Sequence, residues 1–394
     1  MTKKRNLTLS YCILQGIFWI VTVAEMSYAT PLLEVRGMNE LQIGMIHSAK
    51  FIALIVTQLA LEAFIVRNRS KYSLKQIVSV LVLIAICVTI FFLIFPHLFA
   101  VNFLVFLIYG ATINCTLPLI ESMSIEYIKA GKKLHYTLSR AVGSLTYSVM
   151  CILLGLWTKQ YGMEFVVFFL LVTLSLYELS ILSMEEICSR KRQRTVRRQR
   201  IPLRAMLKRY KKYRLFLLEC GLIFGAYDLN IMFLIDRVKE IGGTSLSYGF
   251  VFAFIGLAEI PVALLFSKIN AVFKLDTLMM IFALFCTFRA IGTTFAVNCM
   301  QLILVQSFEL FGMGVFYAGS LYFVMQYLPA ECSVLGMSLI NIVAVGIGEA
   351  LASLCAGLLK AYLGLQSLMI LSCIISCLGA AVGIRMKCSN QQNP

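Results

Sequence analysis

The sequence predicts an all-α integral membrane protein with twelve transmembrane helices in two pseudo-symmetric six-helix bundles. Of its 394 residues, 60% are hydrophobic and only 14% are charged, so the chain is far more apolar than a soluble one. The apolar residues fall in runs of about 20 or more, the length that a helix needs to cross the hydrocarbon core. One long basic segment, EEICSRKRQRTVRRQRIPLRAMLKRYKKYR, separates two sets of six runs.

Polar breaks between the runs define the predicted helices, in order along the chain. Helices 1 to 6 are predicted at residues 7–33, 41–66, 74–95, 99–126, 134–158 and 163–184. Helices 7 to 12 are predicted at residues 213–235, 245–267, 276–296, 299–328, 332–359 and 365–385. The predicted domains are therefore an N-terminal bundle (1–184), a basic linker (185–212) and a C-terminal bundle (213–394).

The basic residues indicate membrane orientation and no nucleic-acid partner. The net charge is +16, but Lys and Arg lie in short segments between apolar runs, with few aromatic residues among them. Most of them lie in the termini and the even-numbered loops; the odd-numbered loops contain Arg36, Lys159, Arg237, Lys239 and Lys360. By the positive-inside rule, we expect a multi-pass protein of the cell membrane with the linker and both termini in the cytoplasm. The positive-inside rule is enough to explain the many basic residues of the linker. The alternative is a functional role, in which the linker binds anionic lipid.

An internal repeat supports the division into two bundles. The segment GMNELQIG at 37–44, which opens helix 2, matches GGTSLSYG at 242–249, which opens helix 8, at three positions. After helix 5, GLWTKQYG at 155–162 resembles GLLKAYLG at 357–364 after helix 11. Similar offsets at both ends indicate a duplicated six-helix unit. Parallel repeats of this kind place a substrate site between the halves, near the bilayer midplane.

Ionisable residues are rare within the predicted helices, because even an arginine near the bilayer centre costs about 2.5–3.5 kcal/mol or more. Such residues are expected to face a cavity or one another. Counting from the connecting turns places three pairs at similar depths: Glu25 with Lys50, Glu121 with Arg140, and Arg289 with Glu309. Three further acids have no basic partner predicted at their depth: Asp228, Glu259 and Glu349.

Two roles are open for these deep charges. Each pair can be a static bridge that orients helices, but acids outnumber bases among them. A carboxylate buried without a cation can bind and release a proton, which a proton-coupled carrier requires. Glu62, Glu178 and Glu219 lie near cytoplasmic helix ends, where we expect them to reach water or the basic loops and to be structural.

Five stretches resemble a known family: PLIES at 118–122, LSRAVGS at 138–144, LAEIPVALLFSKI at 257–269, FRAIGTTF at 288–295 and VQSFELFGMGVFYAGSLYFV at 305–324. Together with twelve helices, two similar halves and a basic middle loop, they resemble the major facilitator superfamily. The closer resemblance is to its branch of lactose permease, oligosaccharide:proton symporters and phenylpropionate permease. It covers nearly the whole chain and implies the major facilitator fold.

The resemblance implies roles for the matching residues. In lactose permease, a glutamate of helix 4 and an arginine of helix 5 bind sugar hydroxyls, and an aromatic ring seven residues later stacks on the sugar. The matching residues here are Glu121, with a shift of one, Arg140 and Tyr147. Glu259 matches the helix 8 acid that joins the sugar and proton sites, and Arg289 matches the helix 9 arginine.

Departures from lactose permease shift the expected proton site. Glu309 lies where that family has its helix 10 histidine, and Gly312 where it has the proton-carrying glutamate. Glu309 is therefore the expected proton carrier, with Arg289 lowering its affinity for the proton in one state. Val262 replaces a sugar-binding asparagine, and Asp228 lacks the expected lysine of helix 11. The loop after helix 2, LEAFIVRNRSKY, keeps neither the glycine nor the aspartate of the superfamily motif.

These features predict a proton-coupled symporter that imports a small hydroxylated solute, an oligosaccharide or a nucleoside, by alternating access. One alternative is a carrier or exporter of aromatic acids or drugs, with an apolar wall near Phe311, Met313, Phe316 and Tyr317. Another is a sensor that has lost transport. An enzyme is not expected, because the three histidines lie far apart and the chain contains no HExxH, GxSxG or Walker A motif. We expect a monomer without metal or cofactor.

Overall fold

The computed structural model describes residues 7–68, 71–186, 203–329 and 332–389, and these residues contain helices and no strand. The predicted all-α fold is therefore confirmed. Contacts divide the chain into two compact units. Unit 1 comprises residues 1–192 and 244–256, and unit 2 comprises residues 193–243 and 257–394. The first half of helix 8 is thus grouped with the N-terminal helices.

Ten helices of the described residues are long and apolar enough to cross a membrane. One further span is formed by Lys211–Ile231 and Leu234–Glu240, which meet at a bend of 46°. The last of the ten, Leu335–Cys388, has 54 residues, far more than the roughly 20 that one crossing requires. Gly364 has non-helical backbone angles in the middle of this segment. Division at Gly364 gives helices 11 and 12, so each of the twelve predicted spans has a counterpart.

Helices 1 to 6 of unit 1 are Leu7–Ser27, Glu40–Ile65, Leu74–Ile94, Phe99–Ile128, Leu138–Tyr161 and Phe165–Ser183. Ser73 fixes the start of helix 3, because its hydroxyl accepts from the Gln76 backbone N–H while the Gln76 side chain accepts from the Ser73 backbone. Helix 1 packs mainly against helices 5 and 6, and helix 2 against helix 4. Helix 1 therefore lies beside helix 5, which carries candidate residues of the site.

Helices 8 to 10 are Ser245–Phe266, Leu275–Phe295 and Cys299–Tyr327. In unit 2, helix 7 packs mainly against the long segment of helices 11 and 12, and helix 9 contacts the same segment. A short helix, Leu203–Arg209, precedes helix 7. The rest of the basic stretch, residues 187–202, lies outside the described residues, so contact of the linker with anionic lipid stays a prediction.

Three short π-helical or 3-10 segments lie inside the described spans. Helix 1 contains a π-helical segment at Val23–Ser27, and helix 11 contains one at Ile342–Glu349. Helix 10 contains a 3-10 segment at Gln306–Leu310. Each of these segments carries one of the deep acids, namely Glu25, Glu349 and Glu309 respectively. Such irregular turns are frequent at functional sites because they redirect side chains and leave backbone groups open.

The backbone at the repeated glycines supports the internal duplication. Gly37 and Gly242, which occupy equivalent positions of the repeat before helices 2 and 8, both have a left-handed φ, of 81° and 77°. Gly162 and Gly364, the equivalent pair after helices 5 and 11, have φ values of 85° and 80°. Only glycine adopts this conformation at little cost, so the two halves of the sequence share the same backbone turn at equivalent positions.

Candidate functional site

Unit 1 contains a cluster around Arg140, which lies in the first turn of helix 5. Its guanidinium carbon lies 4.5 Å from the centre of the Trp19 ring of helix 1, which is a cation–π arrangement. Gly143 makes this approach possible, because a Cβ at that position would lie 2.4 Å from Trp19 Cδ1. Arg140 therefore lies beside an aromatic face, where its charge is stabilised without full hydration.

Tyr147 lies one turn beyond Gly143 on the same face of helix 5. Its ring meets the Trp19 ring edge-on, with 6.1 Å between centroids and 89° between planes. The Tyr147 hydroxyl lies 2.7 Å from the Ser27 hydroxyl in the π-helical segment of helix 1. The residue that the family resemblance assigns to stacking is thus held in place at both ring and hydroxyl.

Glu121 of helix 4 accepts a hydrogen bond from the Tyr136 hydroxyl at 2.9 Å. The Tyr11 hydroxyl donates to the backbone carbonyl of Ile120 at 2.9 Å and accepts from the Gln15 amide at 3.1 Å. Glu121 and Arg140 both belong to unit 1, and their predicted ion pair stays a prediction. The structure does give Glu121 a phenol partner that the sequence did not suggest.

Two buried polar atoms beside this cluster have no hydrogen-bond partner among the described residues: Gln15 Oε1 and Trp19 Nε1. Gln15 and Trp19 are four residues apart on helix 1 and so lie on one face. Most buried polar atoms in proteins form hydrogen bonds, so each exception is a candidate point of contact for a water, an ion or another polar group. Gln15 Oε1 can accept a hydrogen bond and the Trp19 N–H can donate one, so together with the nearby guanidinium they suit a ligand with hydroxyl or amide groups.

Unit 1 also contains the predicted Glu25–Lys50 pair. Lys50 Nζ lies 3.2 Å from Glu25 Oε1, and the two side chains are 1% and 0% exposed. The Asn114 amide donates to the same carboxylate oxygen at 3.4 Å. Glu25 Oε2 has no partner among the described residues. The contact confirms that Glu25 and Lys50 lie at similar depth, as predicted for helices 1 and 2. The contact fits both a static bridge between helices and a role in transport.

Unit 2 contains the predicted Arg289–Glu309 pair, with Arg289 Nε 2.9 Å from Glu309 Oε1 and side chains 1% and 0% exposed. Arg289 also donates from a terminal nitrogen to Gln306 Oε1 at 3.1 Å. The Gln306 amide in turn donates to the Leu302 carbonyl at 2.9 Å. Arg289 Cζ lies 4.2 Å from the centre of the Tyr227 ring. The guanidinium is thus held by an acid, an amide and an aromatic face.

Glu309 lies in the 3-10 segment of helix 10, where its second oxygen accepts from the Met313 backbone N–H at 3.3 Å. Gly312 leaves room for this carboxylate, because a Cβ there would lie 3.3 Å from Glu309 Oε2. Helix 8 passes close by, since a Cβ on Gly314 would lie 3.5 Å from Glu259 Cα and 3.6 Å from Val262 Cβ. Glu259 is thus on the helix 8 segment that neighbours the Glu309 turn.

The remaining deep acids of unit 2 lie on helices 7 and 11. Asp228 accepts a hydrogen bond from the Ser353 hydroxyl at 2.6 Å. Glu349 ends the π-helical segment of helix 11, one turn before Ser353, and is half-buried. No group of three His, Cys, Asp or Glu side chains in the described part of the chain is arranged to hold a metal ion.

Sequence reasoning missed the partners that hold the charged residues: Trp19, Tyr136, Tyr227 and Gln306. Gln306 offered a weak signal, since it is a polar residue one turn before Glu309 in an apolar helix. Trp19 is one of only two tryptophans. Aromatic residues are so frequent in this chain that their pattern could not separate packing from binding.

Two helical units with buried ion pairs and partly exposed charges inside membrane spans are typical of membrane transport proteins, in which such charges often mark substrate or ion pathways. The chain belongs to the MFS_1-like family, whose model matches residues 13–371. It is therefore a transporter of the major facilitator superfamily, as the motifs implied. No protein with a curated description matches it in sequence.

Two solved structures show the same fold. A crystal structure of a mutant of the nucleoside transporter NupG is 14% identical, with a TM-score of 0.82, and the match covers 97% of this chain and 100% of that one. A second crystal structure of NupG is 15% identical, with a TM-score of 0.79 and coverage of 98% and 100%. At this identity the likeness shows the fold and leaves the solute open.

Proposed function

We propose that this transporter is a proton-coupled symporter that imports a small hydroxylated solute, a nucleoside or an oligosaccharide, by alternating access. The main support for the proposal is the indole N–H of Trp19, which has no hydrogen-bond partner among the described residues. The Trp19 ring contacts the Arg140 guanidinium and the Tyr147 ring, and the unpartnered amide oxygen of Gln15 lies on the same face of helix 1. The similarity of fold to a nucleoside transporter agrees with a ligand of this chemistry.

The unit 1 cluster would bind the solute through hydroxyls and a ring. Arg140 and the Glu121 carboxylate can each hold two hydroxyls of a ribose or pyranose, since both are bidentate groups. Trp19 Nε1 can donate to the solute and Gln15 Oε1 can accept from it. Tyr147 offers an aromatic face for a sugar ring or a base. A site of this kind combines an apolar surface with a few fixed polar groups, as small-molecule sites do.

The unit 2 pair would carry the proton. When Glu309 accepts a proton its charge is lost and the ion pair weakens, whereas Arg289 keeps the Gln306 amide and the Tyr227 ring. Arg289 is thereby left as a cation that can bind another acid, and Glu259 on the neighbouring helix 8 segment is the proposed link to the solute. Protonation shifts the conformational equilibrium only because the two states differ in proton affinity.

A carrier or exporter of aromatic acids is the second candidate. Arg140 would suit a carboxylate, and the open indole N–H would suit a phenol. The apolar wall expected for this alternative is weaker in the structure, because Met313 and Phe316 are buried in the core of unit 2. Only Phe311 and Tyr317 of that set are exposed.

The proposed setting is a monomer in the cell membrane, with both termini and the basic linker in the cytoplasm. The distribution of Lys and Arg in the sequence supports this orientation.

Fluorescence of Trp19 tests the solute class, because the chain has only two tryptophans. A Trp157→Phe variant in detergent leaves Trp19 as the sole reporter, and nucleosides, oligosaccharides and aromatic acids are titrated in turn. We expect saturable quenching by a nucleoside or an oligosaccharide. The matched control, Trp19→Phe with Trp157 retained, should show no saturable change. Saturation by aromatic acids alone would favour the second candidate.

A further inference from the structure

Glu219 is a carboxyl group of unit 2 that neither the solute cluster nor the ion pairs use. It lies on helix 7, eight residues after Lys211, which is about 12 Å along the helix at 1.5 Å per residue. The expectation that Glu219 reaches water or the basic loops is wrong, because the residue is 0% exposed. The position of Glu219 near the end of helix 7 did not predict its burial, because the burial comes from neighbouring helices that cover the side chain.

Neither oxygen of Glu219 has a hydrogen-bond partner among the described residues. Glu178, the comparable acid of unit 1, is different, because the Ser79 hydroxyl donates to one of its oxygens. On helix 7, Arg214 lies five residues before Glu219 and is exposed, and Lys212 is paired with Asp276 at 2.5 Å. Arg289 is occupied by Glu309. In the part of the chain that the structure describes, no cation neutralises Glu219.

The Glu219 carboxyl fits a notch on helix 12. A Cβ on Gly383 would lie 2.7 Å from Glu219 Oε1 and 3.1 Å from its Cδ. One turn earlier, a Cβ on Gly379 would lie 2.7 Å from Ile223 Cδ1. Helix 9 closes the notch, because Met280 Cα lies 3.5 Å from the same Gly383 Cβ position. Two glycines one turn apart thus let helix 12 cover the acid closely.

The titratable groups around this notch are few. On helix 7 the neighbour is Cys220, which is fully buried. On helix 9 the neighbour is Cys286, whose thiol lies in electrostatic range of both Glu219 and the Arg289–Glu309 pair. The cationic residues of helix 12, Arg385 and Lys387, are both exposed. Glu219 therefore lies in the same region of unit 2 as the proposed proton site, but Arg289, the cation of that site, pairs with Glu309 and not with Glu219.

A buried carboxylate without water, donor or cation is strongly unfavourable, whereas the protonated acid is neutral. We propose that Glu219 is a second proton-binding residue of unit 2, protonated while helix 12 covers it and able to release the proton in a transport state that admits water to the carboxyl group. The idea that this proton release is coupled to transport rests on the proposed function. The idea that Glu219 is protonated while helix 12 covers it is independent of the proposed function.

Infrared spectroscopy tests the protonated state directly. A protonated carboxyl has a C=O stretching band that is distinct from carboxylate bands and shifts in D₂O. Spectra of the purified protein at neutral pH should contain such a component, which Glu219→Gln lacks and the matched Glu178→Gln control keeps. Identical bands in wild type and Glu219→Gln would overturn the proposal. If Glu219→Gln does not fold, Gly383→Ala serves instead, because a methyl group in the notch should shift the same band.

Vesicle transport tests the coupling. Glu219→Gln mimics the protonated acid, so it should still exchange labelled solute between the two sides but lose accumulation driven by a pH gradient. Accumulation equal to wild type would show that Glu219 is a static acid and would overturn its coupling role. A wild-type protein that exchanges solute without any response to the gradient would refute the proposed proton coupling instead, while the infrared band still decides the protonated state of Glu219.

Discussion

At the scale of single residues, the buried cations keep their place through more than one contact. Arg289 has an acid at 2.9 Å, an amide oxygen at 3.1 Å and an aromatic ring at 4.2 Å. Lys50 has the Glu25 carboxylate and lies 5.1 Å from the centre of the Phe51 ring. Because Arg289 also contacts the Gln306 amide oxygen and the Tyr227 ring, it keeps two stabilising contacts when Glu309 is protonated. Lys50 depends more on its single acid.

Loss of the Lys50 charge should therefore destabilise the protein. Lys50→Met leaves Glu25 buried without a cation, and breaking a buried pair in this way costs about 3–5 kcal/mol. We expect a clear fall in the thermal unfolding midpoint in detergent. The double variant Lys50→Met with Glu25→Gln removes the unpaired charge as well and should recover most of the loss. Equal midpoints for wild type and Lys50→Met would contradict a structural role for the pair.

Depth counting from the turns predicted which charges could meet, and two of its three pairs are present at ion-pair distance. It worked because a helix rises by a constant amount per residue, so sequence distance from a turn measures depth. The same reasoning failed for Glu219, since depth does not say which neighbour covers a side chain. The glycine notch that buries it is formed by residues more than 150 positions away.

At the scale of helices, small residues decide how closely two backbones approach. Gly110 of helix 4 lies against helix 2, where a Cβ would be 2.0 Å from the Lys50 carbonyl oxygen. Gly143 of helix 5 lies against a side chain, the Trp19 indole. A backbone cannot move aside locally, whereas a side chain can rotate. The two glycines should therefore respond differently to the same substitution.

Gly110→Ala is expected to destabilise the protein by about 1–3 kcal/mol or more, because the added methyl group forces helices 2 and 4 apart. Gly143→Ala should cost less stability but displace the Trp19 ring from Arg140, so that the solute quenches Trp19 fluorescence less. Unfolding midpoints and quenching titrations on the two variants check this. A Gly143→Ala protein with normal quenching would argue against the Arg140–Trp19 cluster as the solute site.

The irregular turns at Glu25, Glu309 and Glu349 could not be predicted from hydrophobic pattern, although the helices that contain them could. An apolar run of about 20 residues predicts a span because the bilayer requires that length. A π-helical or 3-10 turn changes few hydrogen bonds and leaves that run intact. Pro118 and Pro261, the breakers visible in the sequence, lie within continuous helices instead.

At the scale of the whole molecule, duplication is the feature that the sequence predicted most directly. Two glycine pairs separated by similar offsets share a left-handed backbone in the structure. The charged residues did not stay equivalent after duplication. Unit 1 combines Arg140 with aromatic rings and open polar atoms, whereas unit 2 combines Arg289 with an acid in a broken helix. The proposed division of labour, solute in unit 1 and proton in unit 2, follows from that difference.

The most direct test of this division is accumulation of a solute in vesicles. The wild-type protein and Glu309→Gln are reconstituted, a pH gradient is imposed, and uptake is measured for the nucleoside or oligosaccharide that quenches Trp19. We predict that wild type accumulates the solute against its gradient, while Glu309→Gln still binds it with normal Trp19 quenching but does not accumulate it. Accumulation by Glu309→Gln equal to that of wild type would contradict the assignment of the proton to Glu309.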